Sequence, residues 1–220
     1  MCEPIRVYAL HCGFLADPAL FDQYYNLQPA WRKQATDALK RAADRRLSLG
    51  AGILLRAALP GADLNAVAVG ENGKPVLRDA GVYFNLSHAG DYALCAVGAG
   101  ELGCDIERIR PLRGNIAGRF FHPQEAAFIA AAPDAAEKEL RFFRLWTLKE
   151  SFLKATGKGL SQPLGSFCVA WDETGPYLQG MADRFAFKEY PAPPGYVCAV
   201  CAPAGSRFAE KITYIQPEGE

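Results

Sequence analysis

The sequence lacks net charge, because its 24 Lys and Arg residues balance 24 Asp and Glu residues among 220. A general role in binding nucleic acid or a membrane surface therefore has no global electrostatic support, although local patches remain compatible with this balance. No run approaches the ~18 apolar residues of a membrane span, and the first residues, MCEPIRVYAL, lack the basic start and apolar core of a signal peptide. We therefore expect a soluble cytoplasmic protein that binds neither nucleic acid nor membranes.

The sequence also lacks a cysteine cluster that is typical of a metal site. Seven cysteines, an odd number, are scattered along the chain, mostly in apolar runs such as YALCAV, where a reduced Cys acts as a small hydrophobe. Cys198 and Cys201 form a CxxC, but no second Cys pair or His completes a zinc set. We expect these cysteines to serve core packing and not redox or metal chemistry.

The residues that are present predict an α+β protein. Half of them are hydrophobic, which is enough to bury a core in one large domain or two small ones. IRVYALHC alternates like a strand, and a helical pattern extends from residue 29 to 59. AVAVGENGKPVL predicts a strand and a turn at Asn72-Gly73, and VYFNLSH with DYALCAVGAG predicts a hairpin.

The second half repeats the order of helix followed by strands. ELGCDIERI predicts a strand, HPQEAAFIAAA predicts a helix with Pro123 in its first turn, and Asp134 with Glu137 marks the start of a long helix through Trp146. The alternating tail from 167 to 214 predicts several strands. We expect two similar lobes, 1–100 and 101–220, related by a pseudo-twofold axis, with an active site at their seam.

Paired carboxylates lie on the strand that begins the second half. An extended ELGCDIERI separates an apolar face from a face that carries Glu101, Gly103, Asp105 and Glu107. Neighbouring carboxylates repel each other unless they are solvated, protonated or bridged by a cation. Gly103 leaves room for a close approach, and carboxylate oxygens suit Mg²⁺, which takes other ligands from water and phosphates. The alternative is an ordinary exposed strand face.

A third carboxylate lies in LWTLKESFLKATGKGL, where Glu150 and Lys154 are one helical turn apart, opposite an apolar face. An exposed pair at this spacing is common and contributes only roughly 0.2–0.5 kcal/mol. Two acids from a strand and one from a helix could nevertheless hold a single Mg²⁺, with Lys154 beside a phosphate oxygen. That combination suits phosphoryl-type displacement, in which catalysis is mostly charge neutralisation and positioning.

GCDIE followed by WTLKESFLKATGKGL resembles the 4′-phosphopantetheinyl transferase family of the surfactin-synthetase-activating (Sfp) type. GKP at 73–75, FNLSH at 84–88 and FFHPQE at 120–125 fit the order of that family, and RRLSLGAGILLR at 45–56 resembles its N-terminal helix. The resemblance implies Mg²⁺-dependent transfer of the phosphopantetheine arm of coenzyme A to a serine of an apo acyl, aryl or peptidyl carrier protein, with release of adenosine 3′,5′-bisphosphate. The carrier would serve fatty-acid, polyketide or non-ribosomal peptide biosynthesis.

The resemblance also implies roles for individual residues. The Mg²⁺ ligands would be Asp105, Glu107 and Glu150. Lys154 would be the active-site lysine, and Glu150 or a metal-bound water would be the base. The first lobe would carry most coenzyme A contacts and the second the metal and catalytic residues. The implied coenzyme A contacts are Arg46, Ser48, Gly73, Lys74, Pro75, Ser87, His88, Asp105, Glu150 and Lys154, with Arg32 and Lys33 as further candidates for phosphate contacts.

An arginine-rich segment follows the carboxylate strand. It contains no acid and four arginines, Arg108, Arg110, Arg113 and Arg119. Carrier proteins of this family are acidic around their serine, so we expect Arg110, Arg113 and Arg119 to dock the carrier. Arg108 follows Glu107 and could simply pair with it, and the whole segment could be only a solvated loop. Both lobes in one chain would allow a monomer.

Two other functions use some of the same residues. A Mg²⁺-dependent phosphodiesterase or nuclease could use the three acids with a water nucleophile, although a nuclease would need a broader basic surface. A non-catalytic coenzyme A-binding module would be expected to lose the carboxylates, and all three are present. Neither alternative explains GKP, FNLSH and WTLKE together.

Overall fold

A computed structural model describes residues 3–70, 73–77 and 81–217 and has a mixed α+β fold. Elements of the first half are β1 (Ile5–His11), α1 (Pro18–Asn26), α2 (Ala30–Asp37), α3 (Ala42–Ala58), β2 (Val67–Val69), β3 (Pro75–Leu77), β4 (Tyr83–Ala89) and β5 (Tyr92–Gly98). Elements of the second half are β6 (Gly103–Arg108), α4 (Ile116–Phe120), α5 (Pro123–Ala130), α6 (Ala135–Thr156), β7 (Val169–Asp172), β8 (Gly175–Leu178), β9 (Phe185–Tyr190), β10 (Tyr196–Pro203) and β11 (Phe208–Tyr214).

Two sheets carry the fold. The first has the strand order β11-β1-β5-β4, and the second has the order β6-β10-β9. All neighbours in these sheets are antiparallel except β1 and β11, which are parallel. The edge strands β4 and β6 meet where Cys104 N donates a hydrogen bond to Asn85 Oδ1 at 2.9 Å. This contact places the FNLSH strand beside the carboxylate strand.

One long helix packs against each sheet. Leu49, Leu54 and Leu55 of α3 are fully buried in the core of the first sheet, and the apolar face of α6 is buried against β10 of the second. A third apolar cluster is shared by both sheets and contains Leu94, Ile106 and other strand residues. The six cysteines of the described residues are free and buried, as core packing predicts.

The start and end of α6 follow the local signals in the sequence. The Asp134 side chain accepts a hydrogen bond from Glu137 N at 2.8 Å, which satisfies a free N–H of the first turn. Gly157 ends the helix with a φ of 67°, in the left-handed region that glycine adopts without a Cβ penalty. Pro123 occupies the first turn of α5, and β4 and β5 form the predicted hairpin.

Three features differ from the sequence expectations or lie outside them. The single helical stretch predicted from 29 to 59 is two helices, α2 and α3, and α1 precedes them with Asp17 as its N-cap. The last strand, β11, joins β1 of the first sheet, so a division at residue 100 leaves one strand of that sheet in the second half. Asn72 of the predicted turn lies outside the described residues. No helix that the structure describes is long and apolar enough to cross a membrane.

Candidate active site

Strand β6 and helix α6 approach each other closely at Gly103. A Cβ atom at this position would lie 2.1 Å from Ser151 O and 2.4 Å from Ala155 N, which are both backbone atoms of α6. The sequence indicated a close approach at this glycine, and the group that approaches is the helix itself. The missing side chain therefore lets Lys154 of α6 reach Asp105 of β6.

The Lys154 ammonium group is at the centre of this contact. Its Nζ atom lies 2.6 Å from Asp105 Oδ1, 3.0 Å from Ser87 Oγ and 3.2 Å from Cys104 O. The Ser87 hydroxyl in turn donates to Asp105 Oδ1 at 2.7 Å. Burial is the largest single effect on Lys154 and lowers its pKa, but the charge and hydrogen bond of Asp105, together with the effects of Cys104 and Glu150, raise the pKa overall. Lys154 thus forms its ion pair with the strand and not with Glu150, the partner that helical spacing offered.

Asp105 is buried, with only 5% of its surface exposed, so the alternative of an ordinary exposed strand face does not hold for this residue. Its second carboxylate oxygen, Oδ2, is buried without a hydrogen-bond partner. Leaving a buried polar atom unpaired typically costs about 1–3 kcal/mol, and more when the group is charged. A cation at Oδ2 would remove that cost, so the chemistry of this oxygen suits a metal ligand.

Glu107 and Glu150 share the electrostatic environment of Asp105. Burial raises the pKa of Glu107, the charge of Asp105 raises it further, and Arg110 opposes both effects. Burial likewise raises the pKa of Glu150, as do the charges of Asp105 and Glu107, while Lys154 lowers it. Three mutually repelling carboxylates are therefore close enough to interact, and a divalent cation would relieve their repulsion.

The three acids are not already arranged as a metal site. In the described part of the chain, no group of three or more His, Cys, Asp or Glu side chains has the spacing to hold a metal ion. Lys154 occupies Asp105 Oδ1 in this arrangement, and Arg110 Nη1 lies 3.1 Å from Glu107 Oε2. The carboxylate oxygens of the three acids are the ligand type that suits a divalent cation. In this arrangement Lys154 and Arg110 neutralise part of their negative charge.

His88 ends the FNLSH motif and lies next to Ser87 on β4. The His88 side chain is exposed at the surface, yet the protein atoms around its ring partly desolvate it and lower its pKa, and the positive charges of Lys154 and Arg32 lower it further. Arg32 is itself buried, which lowers its pKa to about 10, and its Nη2 atom donates to Ser48 Oγ at 3.1 Å. The structure thus brings Arg32, Ser48 and His88 into one positively charged neighbourhood beside Lys154.

Arg46 and Lys33, two further residues that the family resemblance implies, have other surroundings in the structure. Arg46 lines a separate cavity of about 200 Å³ together with Phe21 and Arg45. Lys33 donates a hydrogen bond to Asn26 O at 3.1 Å.

The GKP segment lines a cavity of about 420 Å³ between β3 and β4. Lys74 Nζ lies 2.8 Å from Glu101 Oε2 and 3.2 Å from Leu102 O, which ties the segment to the start of β6. Gly73 has a φ of 79°, which explains a glycine before Lys74. Tyr83, Phe84 and Pro75 give the cavity flat apolar walls, with a charged group at its edge.

The arginine-rich segment borders a groove of about 540 Å³, which we call the apolar groove. Arg110, Pro111 and Arg113 line it together with the apolar side chains of Leu112, Ile116, Phe120, Phe142, Phe143 and Trp146. Sequence reasoning missed this groove, although Leu112, Ile116 and Phe120 recur every four residues among the arginines. Phe120 is 42% exposed, so the groove presents apolar surface to solvent.

The arginine contacts differ from those expected. Arg108 pairs with Asp91 at 3.7 Å, whereas Arg110 pairs with Glu107 and lies over the Phe143 ring at 4.9 Å. The expectation that Arg108 could pair with Glu107 is wrong, because successive residues of a strand point to opposite faces. Arg113 and Arg119 are exposed, and no ion pair with the three carboxylates is found for either of them in the described residues.

Comparison with known proteins assigns the family. Residues 101–201 match the profile described as the 4′-phosphopantetheinyl transferase superfamily. The chain is 40% identical over 152 residues to the 4′-phosphopantetheinyl transferase Sfp of Bacillus subtilis (strain 168), covering 67% of each protein. It is 34% identical over 224 residues to the 4′-phosphopantetheinyl transferase psf-1 of Bacillus pumilus, covering 95% of each.

The chain therefore belongs to the 4′-phosphopantetheinyl transferase superfamily, as an enzyme of the Sfp type, and the family resemblance of its motifs is confirmed. Transfer of phosphopantetheine to a carrier protein is the activity that the family supports. A holo-[acyl-carrier-protein] synthase structure from Thermotoga maritima is similar over 46% of this chain and 61% of that chain, at 17% identity and a TM-score of 0.38. That likeness is too partial to add to the assignment.

Proposed function

We propose that this enzyme transfers the 4′-phosphopantetheine arm of coenzyme A to a serine of an apo carrier protein, in a Mg²⁺-dependent reaction that releases adenosine 3′,5′-bisphosphate. The observation that carries the proposal is the pair between half-buried Lys154 and buried Asp105, within a group of three repelling carboxylates. The three carboxylates carry negative charge that a metal ion would neutralise, and the Lys154 ammonium group is a cation that could contact a phosphate oxygen. The carboxylates Asp105, Glu107 and Glu150 would hold Mg²⁺, which would supply charge neutralisation at the pyrophosphate.

The reaction forms a bond between the serine oxygen and the β-phosphorus and breaks the bond from that phosphorus to the bridging oxygen. A neutral hydroxyl is a poor nucleophile until its proton is removed. Glu150 is the candidate base, and in the metal-free protein burial and its acidic neighbours raise its pKa, which strengthens its affinity for a proton. Lys154 stabilises the negative charge that develops on the leaving phosphate, and Ser87 keeps Lys154 and Asp105 aligned.

The two lobes divide this work. The lobe 1–100 would carry most coenzyme A contacts, and the lobe 101–220 would carry the metal and catalytic residues, with β11 returning to the first sheet. Each lobe has a sheet packed against one long helix, which supports a pseudo-twofold relation between them. Asn85 joins the two sheets beside the catalytic lysine, so the seam between the lobes is where both substrates meet.

Coenzyme A binding would extend across the first lobe. The cavity beside Lys74 suits an adenine ring against Tyr83 and Phe84, and the cations Arg32 and His88 suit phosphates. Pro75 lines the cavity, and Gly73 supplies the positive φ before Lys74. Ser48 accepts a hydrogen bond from Arg32, and Ser87 would act through Lys154. Arg46 would be a further contact for coenzyme A.

Replacing His88 or Lys74 with Ala should raise the KM for coenzyme A and change kcat little. Both side chains are proposed to bind the substrate before and during the reaction, so their loss removes binding common to the ground state and transition state. We expect about a tenfold increase, which corresponds to about 1.4 kcal/mol. Steady-state kinetics with varied coenzyme A measure this. Lys158→Ala, at an exposed lysine beyond α6, is the control, and an unchanged KM in both test variants would refute the binding roles.

The carrier would dock on the apolar groove and its arginine border, next to Glu107. An acidic carrier surface complements Arg113 and Arg119, and an apolar carrier side chain fits a groove walled by Phe120 and Trp146. Arg110 is less suited to testing this idea than Arg113, because its reversal would also disturb Glu107.

Reversing Arg113 and Arg119 to Glu should raise the KM for the carrier about tenfold, or about 1.4 kcal/mol, and leave the KM for coenzyme A unchanged. The wild-type KM for the carrier should also rise with salt, because exposed charges are screened over ~8 Å at physiological ionic strength. The control is Arg207→Glu with Lys211→Glu, which makes the same change in net charge at exposed positions near β11. Equal effects in both double variants, or no salt dependence, would exclude this docking surface.

Release of adenosine 3′,5′-bisphosphate tests the proposed reaction. Chromatography should show release only when enzyme, coenzyme A, Mg²⁺ and apo carrier are all present, and none with a carrier whose acceptor serine is replaced by Ala. A phosphodiesterase would cleave coenzyme A without the carrier, and a binding module would release nothing with it. Either of those outcomes would reject the transfer reaction in favour of the corresponding alternative.

A further inference from the structure

A fully buried ion pair connects helix α6 to the start of α5. Lys149 and Glu125 are 0% and 1% exposed in their side chains, and Lys149 Nζ lies 2.8 Å from Glu125 Oε1. The same ammonium group donates to Leu164 O at 2.8 Å and to Phe167 O. Its three N–H groups therefore have three acceptors. Lys149 precedes Glu150 in the chain but faces away from the carboxylate cluster.

Glu125 also accepts hydrogen bonds from two other parts of the chain. Its Oε1 atom also accepts a hydrogen bond from Val169 N of β7 at 2.7 Å, and its Oε2 atom accepts one from His122 N at 3.0 Å. The second bond forms the capping box of α5 and fixes the residue where the chain leaves Phe121 and enters that helix. One pair thus holds α5, α6 and β7 together.

The position of the pair relates it to the apolar groove. One wall of the groove is α4, which ends at Phe120 immediately before the capped start of α5, and the opposite wall is α6. The Phe121 ring packs against Phe142 of α6 at a centroid distance of 5.1 Å. A shift at the start of α5 would therefore move one groove wall against the other.

Stability alone is a weak reason for a buried ion pair. The free-energy cost of removing two charges from water often exceeds their attraction. A protein with apolar residues of similar volume in place of a buried ion pair is often at least as stable. A charged pair with all partners in place does, however, accept only one geometry, because any displacement leaves a buried charge or donor unpaired. Such a contact suits a place where the relative position of two helices matters more than the stability that the contact adds.

We infer that Lys149 and Glu125 are positioning residues for the carrier: through the start of α5 they fix the α4 wall of the apolar groove relative to Glu150, so that a docked carrier presents its serine to the catalytic carboxylate. This inference rests on the proposed function. Lys149 does not touch either substrate, and its effect is transmitted through Glu125 and the start of α5.

The test uses the neutral double variant Lys149→Met with Glu125→Gln, since Lys149→Met alone would leave a buried carboxylate unpaired. We expect a folded protein whose KM for the carrier rises about tenfold or more, while the dissociation constant and KM for coenzyme A stay within twofold. Hydrogen exchange should become faster in residues 116–130 and stay unchanged in strand β6. The matched control is Arg144→Met with Glu189→Gln, which removes the ion pair that joins the same helix to β9.

Each outcome has one meaning. A lower melting temperature with an unchanged KM for the carrier would show a purely structural pair and overturn the inference. Equal increases in the KM for the carrier in the test and control variants would also overturn it, because general loosening of α6 would explain both. If the wild-type enzyme transfers nothing to any carrier, the proposed function fails instead. Unchanged exchange in residues 116–130 would overturn the positioning role independently of activity.

Discussion

Replacing Asp105 with Asn should lower kcat/KM about 10²–10³-fold, the range for loss of a preorganised electrostatic contact in an active site. Asn keeps the shape of the side chain but removes the charge that pairs with Lys154 and the carboxylate oxygen available to a cation. Glu107→Gln and Glu150→Gln should have losses of the same order. Steady-state transfer kinetics measure the effect, with Glu173→Gln in the exposed β7–β8 turn as the control.

The same substitutions should affect stability in a way that separates catalysis from folding. The folded-state pKa of Glu150 is raised, so the folded protein binds its proton more tightly than the unfolded chain does. The ionised carboxylate therefore costs stability once the pH rises above its unfolded pKa. Glu150→Gln removes that cost, and its melting temperature in metal-free buffer at neutral pH should exceed that of the wild type. Full activity in Glu107→Gln or Glu150→Gln would remove that residue from the proposed metal ligands.

Replacing Gly103 with Ala should lower kcat about 10²-fold, because a displacement of ~1 Å in catalytic geometry has effects of that size. The added Cβ would meet Ser151 O at 2.1 Å, and a backbone atom inside a helix moves only if the helix moves. The displacement would pull Lys154 away from Asp105. Overpacking of this kind also typically lowers the free energy of unfolding by about 1–3 kcal/mol. We therefore expect a lower melting temperature for Gly103→Ala.

The control for Gly103→Ala is Gly100→Ala, since a Cβ at Gly100 would have no neighbour within 4 Å. Kinetics and thermal unfolding of both variants form the measurement. Wild-type kcat and stability in Gly103→Ala would contradict the close approach of β6 and α6. A loss of stability with full kcat would show that the contact supports the core and not the position of Lys154.

Local signals in the sequence account for much of the fold. Asp134 with Glu137, Pro123 and Gly157 mark helix ends correctly, because capping depends on residues within one or two turns of each other. The partnership of β1 with β11 could not be predicted in this way, since two strands at opposite ends of the chain carry no local signal for each other. The order of elements along the chain therefore predicted a boundary between two lobes at residue 100, but the first sheet includes β11 from beyond that boundary.

The candidate site shows the same limit. Alternation along β6 predicted the buried face with Ile106, but not that helix α6 would cover Asp105 on the other face. Helical spacing offered Glu150 as the partner of Lys154, whereas the closer partner is a strand residue 49 positions away. No local signal around Lys149 predicts that it is buried against Glu125, and only the folded arrangement shows this contact. Contacts between distant elements determine the chemistry of each of these groups.

The most direct test of the central claim is the intact mass of apo carrier proteins after incubation with this enzyme, coenzyme A and Mg²⁺. The account predicts a gain of one phosphopantetheine on a carrier serine, and no gain with a metal chelator or with a carrier that lacks the acceptor serine. The panel should include carriers from fatty-acid, polyketide and non-ribosomal peptide synthesis. No mass gain on any of them with wild-type enzyme would contradict the claim that the Lys154–Asp105 site transfers phosphopantetheine.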